Sequence, residues 1–252
     1  MENELILEIP YGGLGDNLFF SHIPRIAKES GKYDKVLISK HSLERHPDNT
    51  ELVWKLNPFV DGFSEEHGQK IVIDEIIRKI ENTTEINILD YIMLEYGLDN
   101  GKRWNEPEIY YKPKFITKYN KTVYDPNYLS WIGNVTKEDF MTYFLKNNIN
   151  FDVVMKIRTE KVMFVPNEDT VFIETASLKD FCDLIFSTEK LFCLTSGTAT
   201  IASALGKKVI AFYGEGQSKV FHHSKNNEYV FIPRYFMNKY NRLKRKFFAN
   251  YF

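Results

Sequence analysis

The sequence contains no apolar run approaching the roughly 18–20 residues that a membrane-spanning helix requires. Its first residues, Met-Glu-Asn-Glu-Leu, are acidic where a secretory signal would be basic, so the expected setting is the cytoplasm. Charge of one sign is lacking as well. Thirty-three Lys and Arg oppose 34 Asp and Glu, a net charge of −1, so no global field draws in a nucleic acid, and none is expected as a partner. Cysteine is nearly absent: Cys182 and Cys193 are the only two, both set among apolar residues, which argues for buried thiols against a disulfide or a zinc site. No Asp-x-Asp pair occurs, so a metal clamp of that type is missing, and neither a metal nor a cofactor is expected.

What the 252 residues do contain is enough apolar material, 43%, for one large or two small cores. Leu5–Ile9 is a nearly continuous apolar run, suited to a strand buried on both faces. A glycine-rich loop follows, and then apolar residues at helical spacing (Leu18, His22, Ile23, Ile26, Ala27) up to Gly31. Lys35–Ser39 is the next strand. Such a strand–helix–strand unit closes as a right-handed parallel crossover. Lys70–Arg78 mixes strand and helix signals, and Leu89–Tyr96 predicts a helix stopped by Gly97. From Asp99 to Tyr119, Gly101, Pro107 and Pro113 stand among many charges and mark the best boundary candidate. Beyond it, strands are expected at Thr122–Tyr124, Tyr128–Ile132, Val153–Ile157, Lys161–Val165, Val171–Ile173, Leu191–Leu194 and Lys208–Tyr213. Helices are expected at Lys137–Lys146, Leu178–Phe186 (capped by Ser177) and Ala199–Leu205. The pattern predicts an α/β protein of two Rossmann-like halves with parallel sheets, residues 1–112 and 113–252.

Ligands of open parallel sheets sit beyond the carboxyl ends of the strands, and two loops there carry suggestive residues. In Tyr11-Gly-Gly-Leu-Gly-Asp-Asn17, the glycines Gly12, Gly13 and Gly15 let the backbone approach a ligand, and the helix start offers N–H groups to an anion. The plainer reading is a tight turn with Asp16 as N-cap. A dinucleotide fingerprint fits poorly, because its third glycine is missing and strand two ends in Ser39-Lys40; without a Walker lysine a P-loop is excluded. The second loop, Thr195-Ser196-Gly197-Thr198-Ala199-Thr200, suits a phosphate at a helix start, with capping by Ser196 or Thr198 as the plainer alternative.

These residues also carry a resemblance. Gly12–Asp16, Asn57-Pro-Phe-Val-Asp-Gly and above all Thr195-Ser-Gly-Thr-Ala-Thr-Ile-Ala-Ser-Ala-Leu-Gly-Lys-Lys-Val-Ile-Ala-Phe-Tyr-Gly214 are similar, in order, to segments of glycosyltransferase family 9, the bacterial heptosyltransferases. The resemblance implies a shortened GT-B fold and a glycosyl transfer from a nucleotide-diphosphate sugar to a lipopolysaccharide-core or capsule acceptor. It implies Asp16 as base, with the donor held by Gly12, Gly13, Gly15 and Ser196–Thr200. Glu215, after the last strand, is a candidate for the ribose or nucleobase. Thr195 stands where the family has an acidic residue and Thr200 where it has histidine, and the family's phosphate-binding lysine has no counterpart. An inactive nucleotide-sugar-binding or scaffold protein is therefore the alternative, and a nucleotide-dependent epimerase or hydrolase a third class. A weaker local similarity links Gly12–Phe19 to bacterial fucosyltransferases. His22 reads as a packed histidine, and the adjacent His222 and His223 diverge on any regular element, which argues against a metal pair. The basic and aromatic tail Tyr235–Phe252 suits either an anionic membrane surface near a glycolipid acceptor or a helix packed back on the domains.

Overall fold

The computed structural model describes residues 3–80, 85–158, 161–165 and 170–235. The sequence's tail expectation, apart from Tyr235, thus lies outside the described residues.

The first half is built on a four-stranded parallel sheet. Strand β1 (Glu4–Glu8) leads into helices α1 (Leu14–Phe20) and α2 (Ile23–Glu29), then into β2 (Lys35–Ser39). Next come a short helix α3 (Pro47–Thr50), a π-helical turn (Glu51–Lys55) and strands β3 (Gly62–Ser64) and β4 (Gln69–Lys70). Helices α4 (Ile73–Ile80) and α5 (Ile88–Glu95) complete the half, and the strand order is β3-β2-β1-β4. The second half carries six parallel strands in the order β10-β9-β8-β5-β6-β7. In sequence these are β5 (Thr122–Tyr124), α6 (Lys137–Lys146), β6 (Val153–Met155), β7 (Phe172–Ile173), α7 (Leu178–Ser187), β8 (Lys190–Leu194), α8 (Gly197–Ala204), β9 (Ile210–Tyr213) and β10 (Glu228–Phe231). The expected parallel α/β architecture is the observed one.

Several local expectations are corrected. The first helix starts at Leu14, three residues earlier than its apolar spacing suggests, and it breaks at Ser21-His22. Pro24 has no N–H to continue the helical ladder, and Ser21 Oγ donates instead to the Leu18 carbonyl (2.7 Å). Tyr128–Ile132 and Lys161–Val165 form no strands. Beside them stand the isolated bridges Asn127–Val162 and Asn134–Glu215, and single backbone bonds such as Gly214 N–H to the Ile132 carbonyl tie them to their neighbours. A Cβ at Gly133 (φ +95°) would collide with the Gly214 backbone, so glycine is what allows these loops to touch. Strand β10, unforeseen, extends the sheet beside β9 through Glu228–Phe231.

One continuous apolar core runs through both halves. It joins Leu7, Phe20, Trp54 and Ile92 to Leu184, Cys193, Ile201 and Ala211. Full burial of such a side chain contributes about 1.5–3 kcal/mol. The segment between the sheets contains only a 3-10 turn at Thr117–Tyr119 and is held by side chains of both halves. Glu108 pairs with Arg25 (2.7 Å), and its N–H donates to Ser21 Oγ. Tyr111 and the Lys114 N–H both donate to Asp183. Asp90, fully buried on α5, accepts hydrogen bonds from the N–H groups of Asn87, Trp104 and Asn105 and from the Asn105 amide. This carboxylate fixes Trp104 at φ +62°. Hydrogen bonds to a charged group contribute about 1.5–3 kcal/mol each, and their donors would be stranded without it. Asp90→Ala is therefore expected to lower the unfolding free energy by about 3 kcal/mol or more, read as a shifted denaturation midpoint; a shift within a few tenths of that of a surface substitution would refute the assignment.

Candidate functional site

The two glycine loops meet. A Cβ added to Gly15, in the first turn of α1, would lie 3.2 Å from Gly197 Cα, and one on Gly197 would lie 3.4 Å from Gly15 N. A side chain at Gly15 would crowd the facing helix start, whereas glycine leaves the two backbones in contact. The contact brings Asp16 beside Ser196 at the mouth of a cleft of about 270 Å³.

Each loop is held by buried polar groups. Asn17, 4% exposed, donates to the Gly13 carbonyl (2.8 Å) and accepts from the Trp54 indole (2.8 Å). Asn49 and the Arg45 N–H both donate to the Gly12 carbonyl. On the other side, buried Asp125 accepts from Thr198 Oγ1 (2.5 Å) and from the Asn127 backbone and amide. Gln217 donates to Thr195 Oγ1 and to the Trp131 carbonyl.

Of the residues singled out in the sequence, Gly13, Gly15, Asp16, Ser196, Gly197 and Thr198 line the cleft. Ala199 and Thr200 are buried and face a smaller adjoining cavity. Gly12 packs against Arg45 instead. Glu215 is held against Asn134 (N–H to carbonyl, 2.7 Å) and lines neither cavity. The capping alternatives hold in part, since Asp16 accepts from the N-cap backbone as the acidic half of a capping box does, and Ser196 occupies the N-cap position. Gly13, not Asp16, is the N-cap of α1, and Asp16 sits in the first turn with a hydrogen bond from the Gly13 backbone. Ser196 is the N-cap of α8 but makes no side-chain capping bond.

Sequence reasoning missed further residues of the cleft, among them Arg45, Asp125, Asn127 and Arg158. These four follow strand ends, Arg45 after β2, Asp125 and Asn127 after β5, and Arg158 after β6. The rule that ligands gather at the carboxyl ends of parallel strands would have found them. Arg158 bonds Thr175 Oγ1 and lies over the Phe181 ring, so its guanidinium is oriented along the cleft wall.

Burial pushes the half-buried Asp16 carboxyl above the ordinary carboxylate range, against the pull of Arg45 and the Gly13 hydrogen bond. His22, by contrast, is fully buried, bonds the Leu89 carbonyl through Nε2 (3.1 Å) and is pushed down to about 4. It is a packed core histidine. His222 stacks on Tyr229 (4.2 Å) while His223 lines the smaller adjoining cavity, so the pair diverges. Among the described residues no cluster of three or more His, Cys, Asp or Glu side chains could hold a metal ion. None of their helices is long and apolar enough to cross a membrane. A larger cavity of about 430 Å³ lies away from both loops, beside Phe144, Phe151 and Val171; its one ionisable lining residue, Asp152, accepts from the Thr122 N–H.

No protein-family model and no curated protein matches the chain. Solved structures do. The dodecameric iron-containing heptosyltransferase TibC, in complex with ADP-D-β-D-heptose, aligns with a TM-score of 0.59 at 11% identity over 90% of this chain. The chain spans 62% of TibC's length. A family 9 glycosyltransferase from Veillonella parvula gives 0.54 at 10% identity, over 97% of this chain and 89% of that one. The E. coli heptosyltransferase WaaC with ADP gives 0.51 at 9% identity, over 99% and 100%. The chain thus has the fold of these glycosyltransferases, as the sequence resemblance implied.

The raised carboxyl of Asp16 makes a signed prediction. Its folded value exceeds its unfolded one, so its contribution to stability is present below the unfolded value, about 3.9, and is lost as pH rises through the folded value. Asp16→Asn is expected to melt at or above the parent's temperature at pH 7, with the gap narrowing toward pH 4. A variant that melts well below the parent at pH 7 would show that the ionised carboxylate stabilises the fold.

Proposed function

We propose that this protein is a glycosyltransferase that moves a sugar from a nucleotide-diphosphate sugar to a hydroxyl of a surface glycan, such as a lipopolysaccharide core or capsule acceptor. The observation that carries the reading is the position of Asp16: a desolvated carboxylate facing, across one cleft, the start of α8 with Arg45 and Arg158 on the walls. The fold shared with TibC and WaaC, whose structures hold ADP-heptose and ADP, agrees with a nucleotide-sugar donor.

In this reading the donor diphosphate lies against the first turn of α8, where Ser196, Gly197 and Thr198 begin a helix whose leading N–H groups lack intrahelical acceptors. The two arginines neutralise the charge that grows as the sugar C1–O bond breaks. Asp16 accepts the proton of the acceptor hydroxyl while its oxygen forms the new bond to C1. The products are the glycoside, a nucleoside diphosphate and a protonated Asp16. No metal takes part; the missing Asp-x-Asp pair supports this. The cytoplasmic setting, the acceptor and any membrane contact through the tail belong to the same proposal.

A non-catalytic nucleotide-sugar binder is the second reading, favoured by Thr195, whose hydroxyl is engaged by Gln217. Asp16→Asn separates the two. A general base contributes about 10²–10⁴-fold to rate, so turnover is expected to fall by that factor with nucleoside diphosphate affinity unchanged and with no response of the parent to chelator. Parental turnover in the Asn variant would remove Asp16 from the chemistry, and a parent that binds but never transfers would favour the binder.

The exposed Arg158 offers an independent check. Arg158→Gln loses a charge-assisted contact worth about 1.5–3 kcal/mol, so nucleoside diphosphate affinity is expected to fall roughly ten- to a hundredfold, measured by calorimetry. Unchanged affinity would place the diphosphate elsewhere.

A further inference from the structure

Behind the cleft lies a cavity of about 40 Å³ between the two halves. Gly15, Asp16, Ser130, Ser196 and Gly197 line both spaces, so the small one opens off the large. A water needs roughly 10–15 Å³ of such volume, so this cavity has room for a hydroxyl or a hydroxymethyl.

Two buried polar atoms of its lining have no partner: Ser196 Oγ and His223 Nε2. Unpaired buried polar groups are rare because each costs the full desolvation of the group. His223 is 2% exposed. Its Nδ1 lies 3.1 Å from the Phe221 carbonyl, which can only accept, so Nδ1 carries the proton and Nε2 presents a bare lone pair. Burial pushes the imidazole down to about 4, which keeps it neutral. The ring is further set edge-on to Phe19 (5.1 Å), and its carbonyl accepts from Asn87 (2.7 Å). One acceptor and one donor, both buried and both unpaired, complement a group that donates and accepts at once.

We propose that this inner cavity reads one hydroxyl of the donor's sugar, which donates to His223 Nε2 and accepts from Ser196 Oγ. The inference rests on the glycosyltransferase reading and adds its specificity element. A subsite built to hydrogen-bond a hydroxyl discriminates strongly, because its buried groups are stranded when that hydroxyl is missing. His223 is a positioning residue and takes no proton from the acceptor.

The test compares bare nucleoside diphosphates with their sugars. ADP-, UDP- and GDP-hexoses, and ADP, UDP and GDP, are titrated calorimetrically into the parent, His223→Phe and Ser196→Ala, with thermal melts confirming the fold. His223→Phe is expected to weaken the best-bound nucleotide sugar about tenfold while its nucleoside diphosphate binds as before; in Ser196→Ala, at the helix start that holds the diphosphate, the sugar is expected to weaken about tenfold more than the diphosphate does. Ser196 Oγ has no partner to lose, so its variant remains informative if His223→Phe does not fold. Equal weakening of sugar and diphosphate would assign these residues to the phosphate or the fold, and no weakening of either would leave the cavity without a ligand role; both overturn the subsite while the transferase reading stands. A parent that binds none of the nucleotides would overturn both.

Discussion

The contact on which the site depends is the one between Gly15 and Gly197. Two helix starts touch there, backbone to backbone, because neither residue carries a Cβ. That approach sets the cleft's width and puts a carboxylate from one sheet opposite a helix start from the other. It also leaves room behind it for only a small cavity. Any side chain at Gly15 would have to displace backbone, not a movable side-chain end.

The buried amides do the complementary work. Asn17 and Asn49 satisfy loop carbonyls that would otherwise face an apolar interior, and so allow irregular backbone to run beside the core. Asp125 serves the second loop as Asp90 serves the linker, one carboxylate collecting several donors. Rigid loops of this kind hold Asp16 in a place where its charge is poorly solvated.

How much of this was legible in the sequence depends on the range of the interaction. Buried parallel strands such as Lys35–Ser39 and Thr122–Tyr124 are visible as apolar runs, and helix starts such as Thr136 and Ser177 are visible as caps, because both signals are local. The glycine loops and Asp16 were legible as a motif at a strand end. Glu215 has the same kind of position, yet the pairing of Gly133 with Gly214 turns it toward Asn134, and nothing local reports that pairing. Tyr128–Ile132 reads as a strand because it is apolar and aromatic, but those residues line the cleft and the inner cavity instead. Arg45, Arg158 and His223 come together only through tertiary folding. For the two arginines the one local hint is that each follows a strand end; His223 carries none.

The linker, finally, bears on how the molecule comes apart. Its Glu108 is tied to Arg25 and Ser21 in the first half, its Tyr111 and Lys114 to Asp183 in the second, and one apolar core passes beneath it. Two lobes joined by a slack strand would melt in separate steps and could be expressed apart. Here each lobe, cut free, would present to water the apolar surface that the other now covers. Parting the halves therefore means exposing that shared surface as well as breaking the linker's bonds, while the second half keeps a separate apolar cluster around Phe140, Phe144 and Phe212.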